Sequence, residues 1–216
     1  HITTEEYFFE SISNDIKPKL FKKRKKDVRY SLDSWKDYFY VHTNEDARDY
    51  KILRCKKNDI ENLEEFVPPK KETVIGGLDF LDNYIIRAEK SDAIPKLYVR
   101  NINTNEEEEI KISNEPIGVP GASLMQKDTS TSKIRISWES MATPGKIFEY
   151  DIKTKEKKLV KEVEIPSGHD PNKYVVERIK AKSHDGRMIP ISLVRLKSSK
   201  QDGTSKILLY AYGAYK

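Results

Sequence analysis

"DYFYVHTNEDARDYKILRC", Asp37 to Cys55, is the stretch that decides the fold. Two runs rich in aromatic and β-branched residues, Tyr38-Phe39-Tyr40-Val41 and Ile52-Leu53, flank a polar connection that begins "TNED". Residues of that kind suit a pleated sheet packed against neighbouring sheets. The same order of strand, short polar loop and strand returns in "NYIIRAEKSDAIPKLYVRNI" from Asn83 and in "KIRISWESMATPGKIFEYDI" from Lys133. The three starts lie 46 and 50 residues apart. Each unit is preceded by a further strand pattern ("VRYSLDS", "TVIGGLDF", "PIGVPGASLM") and followed by another ("EEFVPP", "EEEIKI", "KKLVKEVEI"). Four short strands recurring at this spacing match the arithmetic of a β-propeller blade. A meandering sandwich has similar strand spacing, but it has no reason to repeat one strand–loop–strand signature three times.

Upstream, "EEYFFESIS" and "KPKLFKK" read as outer strands of a further blade. Three and a half blades do not close a ring, so the first and last sheet edges are expected to be exposed. Either the chain belongs to a larger one or it pairs with another.

The 216 residues are 37% hydrophobic and 35% charged, enough apolar material for a core. The 40 Lys and Arg nearly balance the 35 Asp and Glu, and the net charge of +5 is spread over a large surface. The densest basic run, "KPKLFKKRKK" from Lys17 to Lys26, lacks the interleaved aromatic platform of single-strand binders. It reads as a solvated loop or edge strand, and no nucleic-acid partner is expected. Cys55 is the single cysteine, so no internal disulfide can form and a reducing, cytoplasmic location is expected. There is no apolar run of membrane-spanning length, and "HITTEEYFFE" lacks the order of a secretion signal, so no membrane association is expected. The acidic "NINTNEEEE", Asn101 to Glu109, reads as a solvated hairpin loop rather than a metal site.

After Pro166-Ser167-Gly168 the pattern changes. "YVVERIKAKSHDGRMIPISLVRLK" from Tyr174 reads as two strands around a His184-Asp185-Gly186 turn, since Asp-Gly is a strong hairpin signal. The polar tether "SSKQDGTSK" follows, and then "ILLYAYG". Ile207, Leu208, Leu209, Tyr210 and Tyr212 are predicted to form a strand buried on both faces, running into a turn at Gly213. Such a strand is how an α/β sheet begins to place loops around a site.

The chain carries no Gly-x-Ser-x-Gly elbow, no Gly-x-Gly, no His-Glu-x-x-His and no Cys-x-x-Cys. These absences remove the usual serine-nucleophile, dinucleotide, phosphate and zinc fingerprints. Its histidines, His1, His42, His169 and His184, have no nucleophile placed beside them by any motif and read as structural or exposed.

"YVVERIKAKSHDGRMIPISLV" followed by "ILLYAYGAYK" resembles the start of the catalytic domain in the prolyl oligopeptidase family of serine peptidases. "YSLDSWKDYFYVHTNEDARDYKILRC", "EEFVPPK" and "ESMATPGKIFEYDIKTKEKKLVKEVEIP" resemble later propeller blades of its oligopeptidase B branch. The resemblance runs nearly the whole length of the chain. It implies a mostly β chain: three to four blades of four antiparallel strands from a seven-bladed propeller over residues 1–168, then the first strands of an α/β-hydrolase domain over 169–216. It also implies peptide substrates cut after Arg or Lys, restricted access through the propeller, and no cofactor or metal. In the family a Tyr-Gly-Tyr-Gly stretch carries an oxyanion-binding tyrosine, and its second Tyr matches Tyr212. Ala211 stands where the family commonly has glycine. The nucleophile, acid and base are expected outside this chain, which is predicted inactive alone. The alternatives are a non-catalytic protein-binding module, or the complementing half of a split peptidase that joins a separate catalytic chain or self-associates through its sheet edges.

Overall fold

A computed structural model describes residues 4, 6–12, 15–123 and 128–211. Strands dominate, and among the described residues there is no α-helix, only a short 3-10 turn at Pro171–Lys173. No helix is long and apolar enough to cross a membrane.

An antiparallel pair comes first, β1 (Tyr7–Ile12) and β2 (Asp15–Leu20). The first blade is β3 (Tyr30–Trp35), β4 (Tyr38–Thr43), β5 (Lys51–Lys56) and β6 (Asp59–Val67). The second is β7 (Thr73–Phe80), β8 (Tyr84–Ser91), β9 (Ile94–Asn101) and β10 (Glu107–Glu109). The third is β11 (Val119–Ser123), β12 (Lys133–Glu139), β13 (Lys146–Asp151) and β14 (Lys157–Glu162). Each blade is a four-stranded antiparallel meander in chain order. Blades that follow one another in this way form part of a propeller, with every strand expected from the repeat present.

The two-residue period of the middle strands explains why blades stack instead of pairing into a sandwich. Along β4, Phe39 and Val41 point into a cluster with Phe21, Tyr30 and Cys55, against the β1–β2 pair. Tyr40, between them, points the other way and joins Ile52, Val67, Ile75 and Ile85, which seal the first blade to the second. On β8 the neighbour of Ile85, Ile86, turns to a third cluster with Leu97, Val99, Ile134, Ile136 and Trp138, which seals the second blade to the third. A middle blade therefore buries both faces. Each fully buried Ile of these seams, such as Ile52, Ile75 and Ile136 at 0% exposure, contributes about 1.5–3 kcal/mol.

The first seam also holds buried charge. Arg87, 3% exposed, donates from its two terminal nitrogens to the Glu107 carboxylate at 2.6 and 2.8 Å and from Nε to Glu89 at 2.9 Å. Lys70 Nζ donates to Glu89 at 2.6 Å, and Arg100 Nε to Glu107 at 3.1 Å. The faces of Tyr98 and Phe66 take the cations, with Arg87 5.2 Å from the Tyr98 ring centre and Arg100 4.6 Å from that of Phe66. Buried ions persist where each is paired in this way.

The outer turns of the second and third blades are alike. "NINTNE" from Asn101 and "DIKTKE" from Asp151 each close with a positive-φ residue, Asn105 at 61° and Lys155 at 62°. The two turns share the sequence pattern Ile-x-Thr-x-Glu.

The last pair is β15 (Tyr174–Lys182) and β16 (Met188–Leu196), paired antiparallel around the expected turn, where Gly186 adopts φ +84°. The apolar segment beyond it departs from expectation. Residues 206–211 have no regular structure, and Ile207, Leu208, Leu209 and Tyr210 are 83, 91, 80 and 86% exposed. A strand buried on both faces needs flanking strands and a covering layer. The described residues supply neither, so its hydrophobicity alone does not make it a strand.

Candidate functional site at the blade and hairpin junction

The β8–β9 connection is a two-residue turn, with Ser91 paired to Ile94 and both Asp92 and Ala93 at positive φ, 51° and 60°. Two successive left-handed residues make the tight hairpin turn whose twist matches its strands. Arg178 of β15 reaches this turn from 86 residues away, donating from Nη2 to the Asp92 carbonyl oxygen, while Nη1 donates to Ser192 Oγ at 2.6 Å. Ser192 sits directly opposite Arg178 on β16. Lys180, two residues along the same face of β15, lies 3.3 Å from Asp92 Oδ1.

A second attachment joins the third blade. His169 Nε2 lies 2.6 Å from the carbonyl oxygen of Ala142, in the β12–β13 loop, and the His169 ring stacks on Tyr174 at 5.3 Å. Beside it Thr143 Oγ1 donates to Glu115 Oε1 at 2.7 Å, which ties the link between the second and third blades to the same loop. A cavity of about 210 Å³ between Glu115, Thr143, Pro171, Tyr174 and Lys197 marks this spot. A larger one, about 840 Å³, opens between Lys71, Thr73, Asp92, Lys180 and Pro190. The connections on this side of the blades thus face the terminal hairpin.

The three described histidines, His42, His169 and His184, make structural contacts or lie exposed, as the sequence suggested. His42 Nε2 lies 2.7 Å from the Ile75 carbonyl oxygen, and its ring stacks on Tyr50 at 4.5 Å, joining the first two blades. Ser183 Oγ lies 3.4 Å from His184 Nδ1, but Asp185 accepts from the Arg187 amide instead, so these neighbours form no proton relay. His1 and Tyr212 lie outside the described residues. Among the described residues no His, Cys, Asp and Glu group has the geometry to hold a metal. In the basic run, Lys22 and Lys25 both pair with Glu45, the latter at 3.0 Å, and they hold Glu45 below the usual carboxylate range.

Sequence reading missed Asp92 and Arg178 as partners. "KSDAIP" announces a turn, but nothing local in either stretch signals a contact across 86 residues.

Stacked four-stranded blades followed by a separate two-stranded hairpin define a propeller segment. Residues 1–163 match the family described as prolyl oligopeptidase, N-terminal beta-propeller domain, and the chain belongs to that family of peptidases. Dipeptidyl aminopeptidase BI of Pseudoxanthomonas mexicana is 31% identical over 196 residues, 89% of this chain and 27% of that protein. Protease 2 of Moraxella lacunata is 24% identical over 214 residues, 99% of this chain and 30% of the relative. The chain thus spans less than a third of the length of these relatives. Oligopeptidase B from Trypanosoma brucei, with covalently bound antipain in a closed form, shares the fold with a TM-score of 0.80 at 21% identity, over 92% of this chain and 30% of the other. Oligopeptidase B from Leishmania major does so with a TM-score of 0.80 at 20% identity, over 93% of this chain and 30% of the other.

Proposed function

We propose that this chain is part of a cytoplasmic serine oligopeptidase that cuts short peptides after Arg or Lys, with residues 1–168 from the propeller and 169–216 opening the α/β-hydrolase domain. The observation that carries the reading is the order of parts: blades, then a hairpin seated on them, then an apolar segment, in a chain whose fold matches oligopeptidase B over 92% of its length. In this reading the propeller walls off the reaction space and admits only peptides. Tyr212 supplies the phenol O–H that stabilises the tetrahedral oxyanion, a donor of the kind worth about 2.7–4 kcal/mol to the transition state.

The chain holds no Gly-x-Ser-x-Gly elbow, and an oxyanion donor without a nucleophile does not hydrolyse peptides. A fluorogenic Arg-containing dipeptide should therefore show no turnover with the 216-residue chain. Turnover abolished by a serine-directed inhibitor would sink that expectation. Addition of a chain carrying the remaining hydrolase domain should give a complex and restore cleavage. If the two chains never associate, the complementing-half version fails and the binding-module alternative gains.

A second reading is favoured by the higher identity to a dipeptidyl aminopeptidase, 31% against 24% for protease 2. It has the whole enzyme remove dipeptides from a free amino terminus. Equal cleavage of amino-blocked and free substrates by the restored complex would exclude it.

A further inference from the structure

Among the described residues three buried side-chain polar atoms lack a hydrogen-bond partner, and two of them, Glu115 Oε2 and Arg178 Nε, lie at the junction of blades and hairpin. Native interiors leave few polar atoms in this condition. None of the hairpin's apolar side chains is fully buried, and Ile179, Met188, Ile189 and Leu196 are 47, 54, 47 and 42% exposed. Polar contacts therefore carry much of its orientation on the blades.

We propose that Arg178 is a positioning residue: the Asp92 turn of the second blade is the seat of the terminal hairpin, and the Arg178 guanidinium is the key that fits it. The guanidinium is gripped from both strands, by its own stem on β15 and by Ser192 on β16, and is aimed at the Asp92 carbonyl oxygen. Its Nε stands 3.8 Å from Asp92 Oδ2, short of a hydrogen bond, while Lys180 holds the other carboxylate oxygen. The seat is stiff, since Asp92 and Ala93 both lie in the left-handed region and a two-residue turn has no slack. A planar fork against a fixed turn defines an angle as well as a distance. The second blade therefore sets the direction in which the hairpin sends residues 197–211 away from the propeller. On the peptidase reading, on which this last step rests, that direction decides how the hydrolase domain meets the propeller.

Hydrogen exchange of the 216-residue chain tests the seat without any activity. Arg178→Ala should speed exchange of amides in 174–196 on the order of tenfold, with 30–162 unchanged. Asp92→Asn keeps the carbonyl oxygen and tolerates positive φ, so it should speed the same amides less, and Arg178→Lys should fall between wild type and Arg178→Ala. Unchanged hairpin exchange in Arg178→Ala would overturn the proposal. If Arg178→Ala loosens the blades as well, Arg178→Lys, which keeps the charge and loses the fork, decides by the same criterion. In the restored complex Arg178→Lys should lower kcat several-fold and leave KM within about twofold; an unchanged kcat removes the positioning role while leaving the seat. A wild-type complex with no activity refutes the peptidase reading and leaves the exchange result standing.

Discussion

Asn101 and Asp151 stand at the same point of successive blades, and the Oδ1 of each accepts the same two backbone N–H groups. Asn101 accepts from Asn103 at 2.9 Å and Thr104 at 3.3 Å; Asp151 accepts from Lys153 at 2.9 Å and Thr154 at 3.4 Å. One position is neutral and the other ionisable, so the third blade carries a pH dependence at this turn that the second lacks.

At Asp151, burial raises the carboxyl's pKa, but the amides of Lys153 and Thr154, the Ser132 hydroxyl and the charge of Lys133 outweigh it and hold the carboxyl below its usual range. A depressed folded-state pKa adds stability that is present above the unfolded pKa, about 3.9, and lost as pH falls through the folded value. Asp151→Asn should flatten this part of the acid limb, whereas Asn101→Asp should steepen it. Urea midpoints measured from neutral pH down to about pH 2 check both.

Arg87→Ala should be far more damaging than the loss of a surface cation. It leaves Glu89, 3% exposed, with Lys70 as its remaining ion-pair partner and removes the bidentate partner of Glu107. Breaking a buried pair from one side costs about 3–5 kcal/mol. A double substitution of Arg87 and Glu89 to methionine should recover much of that in equilibrium denaturation.

Gly118 carries its backbone hard against Trp138, and an added Cβ would lie 2.4 Å from the indole Nε1. Trp138 is 6% exposed and packed in the seam between the second and third blades. Gly118→Ala should displace the ring, lower stability by about 1–3 kcal/mol and red-shift tryptophan emission.

Cys55 is 2% exposed, and burial, helped by Asp59, pushes its thiol pKa up. Thiolate is the reactive form, so the folded chain should react with a disulfide reagent at about pH 8 only as fast as the first blade opens. Rapid labelling of folded protein would contradict the packing around Cys55.

On the peptidase reading, Tyr212→Phe in the restored complex should lower kcat about 100- to 1000-fold with KM little changed. Loss confined to KM would show that Tyr212 binds substrate without touching the oxyanion.

The repeat of strands was legible because it is local: alternation and breakers placed "TVIGGLDF" on β7 residue for residue, and Asp185-Gly186 closed its hairpin as expected. What alternation cannot say is which face meets which neighbour. The split of Phe39 and Val41 from Tyr40 into different seams appears only once three sheets are stacked. The Arg87 network and the grip of Arg178 on Asp92 join residues up to 86 positions apart, and no short window of sequence encodes such a meeting. The segment 207–210 shows the same limit from the other side, since hydrophobic residues supply the drive to be covered while only tertiary partners decide whether a strand forms.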